Sequence, residues 1–178
     1  MTAINSLFEI LKLILPAAVV FLTAYYTLKN FLDNESRKKA MEVRQANSSI
    51  TLPARMQAYE RLVLFLERIS PDSMVLRVHG NTVKTAKQLH SELLAAVRSE
   101  FEHNITQQVY VSAKAWSATQ RAKEETIKLI NLASTQVSDK GNGLDLSKAI
   151  FQLGDELEEL PTRIALQIVR NEAKQLFV

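Results

Sequence analysis

The chain has 178 residues, 47% of them hydrophobic and 23% charged, with a formal net charge of +3 and no cysteine. So small and dispersed a positive charge, with no aromatic-rich basic stripe, argues against a nucleic-acid footprint, and the missing cysteine removes both disulfides and a thiol nucleophile. The four glycines and four prolines punctuate the sequence instead of filling it, so helix boundaries can be read from them.

The first element is the uncharged run Leu13 to Leu28, LILPAAVVFLTAYYTL, whose sixteen residues make roughly 24 Å of helix. The hydrocarbon core of a bilayer is ~30 Å thick, and the flanks supply the difference. Lys12 and Lys29 can extend their ammonium groups toward headgroups, while Leu7, Phe8, Ile10, Leu11, Phe31 and Leu32 continue the apolar character. Tyr25 and Tyr26 sit near one end, where interfacial aromatics are favoured, and Pro16 falls in the first turns, where its missing N–H costs least. A cleavable signal peptide fits less well, because no basic residue precedes Lys12 and no small-x-small site follows the run. The run is read as a single membrane span, with Leu13, Val20, Phe21 and Leu28 among its anchor residues. Lys29, Arg37, Lys38, Lys39 and Arg44 all follow it, which predicts the N-terminus outside and the body of the chain in the cytoplasm, at an inner (cytoplasmic) membrane. The cluster Arg37-Lys38-Lys39 is read first as this topology determinant, and second as a contact to anionic lipid at ~1 kcal/mol per basic residue.

Residues 1–48 thus form a membrane anchor with a basic juxtamembrane helix, and 49–178 a soluble helical domain. Asn47-Ser48-Ser49 and Pro53 end the juxtamembrane helix, with Thr51 as N-cap of the next one, which runs to about Ile69. Its core, Leu62 to Leu66, is apolar all round and predicts protein contact on most sides. Ser70-Pro71-Asp72 stops it, and Met74 to Val78 form a short helix closed by Gly80. A long helical region follows from about Thr82 to Val137, weakened only at His103-Asn104-Ile105-Thr106. Its apolar residues Leu89, Leu93, Val97, Phe101, Ile105, Val109 and Ala113 recur every four positions, so the stripe winds around the helix and predicts either wrapping by other helices or a bend near Asn104. Trp116, Ile127, Ile130 and Val137 carry the apolar face onward. Gly141-Asn142-Gly143, flanked by Ser138, Asp139 and Lys140, is the clearest loop. Beyond it Leu146, Ile150, Leu153, Leu157, Leu160 and Ile164 alternate steps of four and three, the spacing of a bundle or coiled-coil seam, which Pro161 divides or kinks. No alternating β-branched run of useful length occurs outside the span. The fold class is all-α: one N-terminal transmembrane helix, then a cytoplasmic helical bundle with a long central helix.

Chemistry-bearing patterns are sparse. Glu100 and His103 form a Glu-x-x-His on a predicted helix, as in di-iron bundles, but a second copy and two facing glutamates are missing, so His103 is read as solvated or capping and no metal or cofactor is expected. Asp155, Glu156, Glu158 and Glu159 alternate with seam leucines and read as a solvated face. The Gly-Asn-Gly loop lacks the following Gly-Lys-Ser/Thr of a phosphate loop. Trp116 among Ala113, Ala115, Ala118 and Ala122 is read as a core residue, with anchoring of a partner helix as the alternative. Trp116, Leu146, Ile150, Leu153, Leu157 and Ile164 are the candidate helix-interface residues.

Two segments, MQAYERLVLFLERISPDSMVLRV from Met56 to Val78 and SEFEHNITQQVYVSAKAW from Ser99 to Trp116, resemble those of an uncharacterised bacterial family of small, N-terminally membrane-anchored helical proteins. The resemblance implies an anchored helical protein and transfers no activity and no functional residue.

The function expected from these features is that of a non-enzymatic, single-pass membrane protein whose cytoplasmic helices scaffold or link a larger membrane-associated assembly. Its partners are the lipid bilayer, other protein subunits and a second copy of itself. The alternatives are a stalk-like subunit of a membrane complex and, further off, a membrane-tethered metal-dependent enzyme using Glu100 and His103.

Overall fold

Every element of the computed structural model is helical, and the described backbone covers residues 2–80, 83–138 and 140–176. Before Ile14, side chains are described at Glu9 and Lys12 only, so the Leu13 side chain lies outside the description. The chain divides into two units, Met1–Ile50 and Thr51–Val178.

The first unit consists of the N-terminal part of helix α1, Thr2–Ile69. From Ile14 to Ile50 its side chains are exposed, apart from the partly covered Glu35. Thr23 and Thr27 turn their hydroxyls back to the carbonyls of Val19 and Thr23, at 2.8 and 2.7 Å, so neither needs a partner outside the helix. The helix break expected at Asn47 to Pro53 is absent, since α1 runs through it. Strong helix formers follow the proline (Ala54, Arg55, Met56, Gln57, Ala58), and the exposed surface lets water solvate the carbonyl that Pro53 cannot serve. Ser49 donates to the carbonyl of Ala46 at 2.7 Å instead of marking a helix end.

The second unit is built on the last turns of α1, where Ala58, Tyr59, Leu62, Phe65, Leu66 and Ile69 recur at helical spacing and are all buried. Leu64 remains 55% exposed, so the run Leu62 to Leu66 is covered on one side and not all round. Helix α2, Pro71–His79, starts on a proline whose missing N–H is one of the helix's unpaired donors anyway, and buries Met74 and Val75. Its last turn closes on Gly80, whose N–H reaches the Leu76 carbonyl at 3.3 Å.

No long central helix follows. Helix α3, Ala86–Asn104, and helix α4, Ala113–Thr135, are separated by a 3-10 turn at Ile105–Val109, and α4 packs back against α3. The stripe explains why: Leu89, Leu93 and Val97 are buried and Phe101 partly so, but Ile105 and Val109 are 44% and 77% exposed. The four-residue spacing has by then wound off the core side. Asn104 turns its amide to the Glu100 carbonyl at 2.8 Å, and Ser112 caps a new helix by accepting from Ala115 N–H at 3.1 Å. The bend expected near Asn104 is thus a complete reversal. Thr82, taken as the start of this region, lies outside the described residues, as does Asp139 in the next loop.

Helix α5, Gly143–Asp155, and helix α6, Pro161–Gln175, complete the unit. Helix α4 packs on α3, α5 and α6, and α5 also touches α2 and α3. Pro161 divides the C-terminal seam into two helices, as expected, but the seam is not one buried stripe. Leu146 and Ile150 are fully buried, whereas Leu157 and Ile164 are 44% and 45% exposed. Restarting the helix at Pro161 resets its phase, and α6 turns Thr162, Ala165, Leu166 and Val169 inward instead.

Thr85 and Asn142 form an isolated antiparallel bridge, in which Ala86 N–H donates to the Gly141 carbonyl at 3.0 Å and Gly143 N–H to the Lys84 carbonyl at 2.7 Å. Both residues are also N-caps with reciprocal capping boxes, Thr85 with Gln88 and Asn142 with Asp145. The close approach explains one glycine of the loop: a Cβ at Gly143 would sit 3.1 Å from the His79 ring and 3.2 Å from the Lys84 carbonyl.

Candidate functional site: an apolar ribbon on α4, α5 and α6

The inward face of α4 is Ala115, Thr119, Ala122, Thr126, Leu129, Ile130 and Ala133. Small residues dominate its first half, and α6 packs against it, leaving only short side chains along the outer edge of the contact. A groove of about 400 Å3 results, floored by Ala118, Ala122 and Ala165, flanked by Ile164 and Ile168, and edged by Lys114, Arg121 and Glu125. Toward the other end of α4 a second, more open groove is lined by Leu129, Leu132, Leu153 and Leu157, with Lys128 and Glu156 at its edge. Glu125 and Pro161 border both grooves, which makes them one continuous ribbon. Three large apolar side chains stand out of it, Leu132 at 54% exposure, Leu157 at 44% and Ile164 at 45%.

Of the candidate interface residues, the structure brings Leu153, Leu157 and Ile164 to this ribbon. Leu146 and Ile150 lie in the core beneath it. Trp116 is on another face, partly buried, stacked on Phe101 with centroids 5.5 Å apart, while Phe101 meets Phe65 at 5.9 Å. Lys123 covers the Phe101 ring at 4.3 Å and pairs with Glu124 at 2.7 Å, and that hydrogen bond holds the Glu124 carboxyl below its ordinary range. The sequence reading missed Leu132, Ile168 and Ala165, and named Ala118 and Ala122 only as the small neighbours of Trp116. Leu132 carried a signal, as a large apolar residue out of phase with Leu129, Ile130 and Ala133. Ala118 and Ala122 carried a partial one, as part of a small-residue stretch, and Ala165 carried none, because a lone alanine is unremarkable in any helix.

A polar clasp, also unforeseen, ties three helices. Glu172 of α6 accepts from Tyr59 of α1 at 3.1 Å and from the Ser112 hydroxyl at the start of α4, where a carboxylate also meets the positive end of the helix dipole. Burial pushes the Tyr59 phenol above its ordinary 10.0, the bond to Glu172 adds to the rise, and Arg55 opposes it. Arg55 donates to the Tyr110 carbonyl at 3.2 Å.

The Glu-x-x-His pair does not converge. Glu100 turns to Arg68 at 2.7 Å and Arg77 at 3.6 Å, and His103 bonds the Ser99 carbonyl at 2.7 Å. Among the described residues no group of three or more His, Cys, Asp or Glu is placed to hold a metal ion. In the acidic run, Glu159 accepts from Gln167 at 2.9 Å, and Asp155, Glu156 and Glu158 are exposed. In the first unit Arg37, Lys38 and Lys39 are exposed, with Lys39 paired to Glu35 at 3.1 Å. Val20, Phe21 and Leu28 are 68%, 69% and 61% exposed. Among the described residues one helix, α1, is long and apolar enough to cross a membrane by length and composition, with none of its most apolar window buried.

No curated protein and no solved structure matches the chain. One family model does, over residues 5–176, and it takes in both the apolar run of α1 and the ribbon-bearing helices α4, α5 and α6. The chain therefore belongs to that family, DUF7935, a family of unknown function.

Proposed function

We propose that the protein is a non-enzymatic, single-pass membrane protein whose helical unit docks other protein subunits, acting as a scaffold or linker in a membrane-associated assembly. The ribbon carries the reading: Leu132, Leu157 and Ile164 remain half exposed around two apolar grooves, and monomeric domains keep contiguous apolar surface mainly where a partner covers it. The exposed apolar side chains from Ile14 to Leu32 support the anchor, since in lipid they cost nothing and in water they would be a liability. The basic residues after the span, with none before Lys12, support an inner-membrane topology with the N-terminus outside and Thr51–Val178 in the cytoplasm.

The uninterrupted helix α1, Thr2–Ile69, favours a second reading, a stalk-like subunit. The metal-dependent alternative is weaker, because the Glu100 carboxylate is already held by two guanidinium groups.

The test is the native size of the detergent-solubilised chain for wild type, Ala118→Trp, which fills the alanine-floored groove, and Lys148→Ala as an exposed control. Ala118→Trp is expected to fall to a smaller species while the control does not. An unchanged size for Ala118→Trp would overturn the docking role, and release of the wild-type chain by carbonate would overturn the anchor. A C-terminal reporter that is active only outside the cytoplasm should stay silent.

A further inference from the structure

We propose that the partner seated on the ribbon is a second copy of this chain, with the two α4 helices antiparallel about a two-fold axis that passes between Arg121 and Glu125. The proposal deepens the docking reading and rests on the ribbon being covered. A two-fold contact uses one patch twice, so whatever lies on one side of the axis must fit what lies at the same distance on the other. The ribbon has this property in shape. Toward the start of α4 is a hole, the groove floored by Ala118, Ala122 and Ala165, and toward the end the side chains of Leu132 and Leu157 stand out, 54% and 44% exposed, as knobs on the rim of the second groove. Rotation about the middle of α4 lays the knobs of each copy over the hole of the other.

The charges repeat the pattern. Arg121 and Glu125 lie one helical turn apart on either side of the axis, so each Arg121 meets Glu125 of the second copy, twice over. Lys114 edges the hole and Glu156 edges the knobs, and the same rotation brings these opposite charges together. Lys128, now 2.7 Å from Glu125, would hand that carboxylate to the incoming Arg121. A foreign partner of one charge sign would leave half of these groups facing like charge.

Because the native chain has no cysteine, single cysteines can report the register in the full-length protein in membranes. Lys114→Cys and Leu132→Cys are to be expressed separately and together, then oxidised. The geometry places position 114 of one copy beside position 132 of the other, whereas the two copies of position 114 lie roughly 27 Å apart along the paired helices. The expected result is a disulfide-linked dimer in the co-expressed sample, at least tenfold above either variant alone. Arg121→Glu should abolish it, and Arg121→Glu combined with Glu125→Arg should restore it. A stronger 114–114 band, or failure of the charge swap to restore the mixed band, would overturn the antiparallel pairing. If the mixed band is absent while Ala118→Trp still shrinks the native species, self-pairing is overturned and docking of a different subunit stands. If neither occurs, both readings fall.

Discussion

Replacing Ile150 and Leu157 by alanine separates the folded unit seen here from the continuous seam that their spacing suggests. Ile150 is fully buried in the core, and removing its side chain beyond Cβ costs both transfer free energy and a cavity, about 2–5 kcal/mol. Leu157 is 44% exposed in the single chain, so roughly half of the 1.5–3 kcal/mol of a buried leucine is at stake within the unit. The cost there is about 1 kcal/mol. For a unit of this size each kcal/mol moves the midpoint by about 3–5 °C, so Ile150→Ala should melt about 10 °C below wild type and Leu157→Ala about 4 °C. Trp116 is the single tryptophan and stacks on Phe101 inside the second unit, so its fluorescence follows that unit in the full-length, detergent-solubilised protein without interference from the apolar helix. Equal midpoints for the two variants, or a larger loss for Leu157→Ala, would refute the assignment of Ile150 to the core and Leu157 to the surface.

Tyr59→Phe removes one donor from the Glu172 carboxylate and should cost about 1.5–3 kcal/mol, read from the same melt; a change below about 0.5 kcal/mol would show that the clasp contributes little. Because the Tyr59 phenol is raised in the folded state, its stabilisation is complete below the unfolded value of 10.0 and is lost as pH rises through the folded value, so wild type should weaken above about pH 10 more steeply than Tyr59→Phe. Gly143→Ala should lower the midpoint, because its Cβ would crowd the His79 ring and the Lys84 carbonyl, whereas Gly154→Ala meets only Leu160 at 3.7 Å and should raise stability by up to ~1 kcal/mol, and the opposite order in thermal melts would count against both. His103→Ala should leave the metal content of the purified protein unchanged by elemental analysis, since the ring bonds the Ser99 carbonyl and Glu100 faces two arginines.

What the sequence made legible is what local chemistry decides. Ile69 as a helix end, the short helix on Pro71 closed by Gly80, the restart at Pro161 and the loop at Gly141 to Gly143 all follow from proline, glycine and capping residues acting within a few positions. Pro53 misled because its cost, about 3 kcal/mol in a helix interior, is spread against good helix formers after it, and the exposed carbonyl still finds water. Leu157 and Ile164 misled for another reason: heptad spacing carries meaning only along one uninterrupted helix, and the break before Pro161 gives α6 a phase of its own. The ribbon was half legible, in its leucines and Ile164. Its alanine floor and the Tyr59–Glu172–Ser112 clasp depend on residues brought together from distant parts of the chain, which no local pattern encodes.

The bridge between Thr85 and Asn142 makes the starts of α3 and α5 a single mechanical element. Helix ends ordinarily fray one at a time, each losing a turn at little cost. Here the two main-chain bonds, Ala86 to Gly141 and Gly143 to Lys84, sit between two capping boxes, so opening either cap strains the ladder that holds the other. Local unfolding at this edge therefore has no half-open state of low energy: the two helix starts loosen together or hold together, and the loop on either side inherits the stability of both.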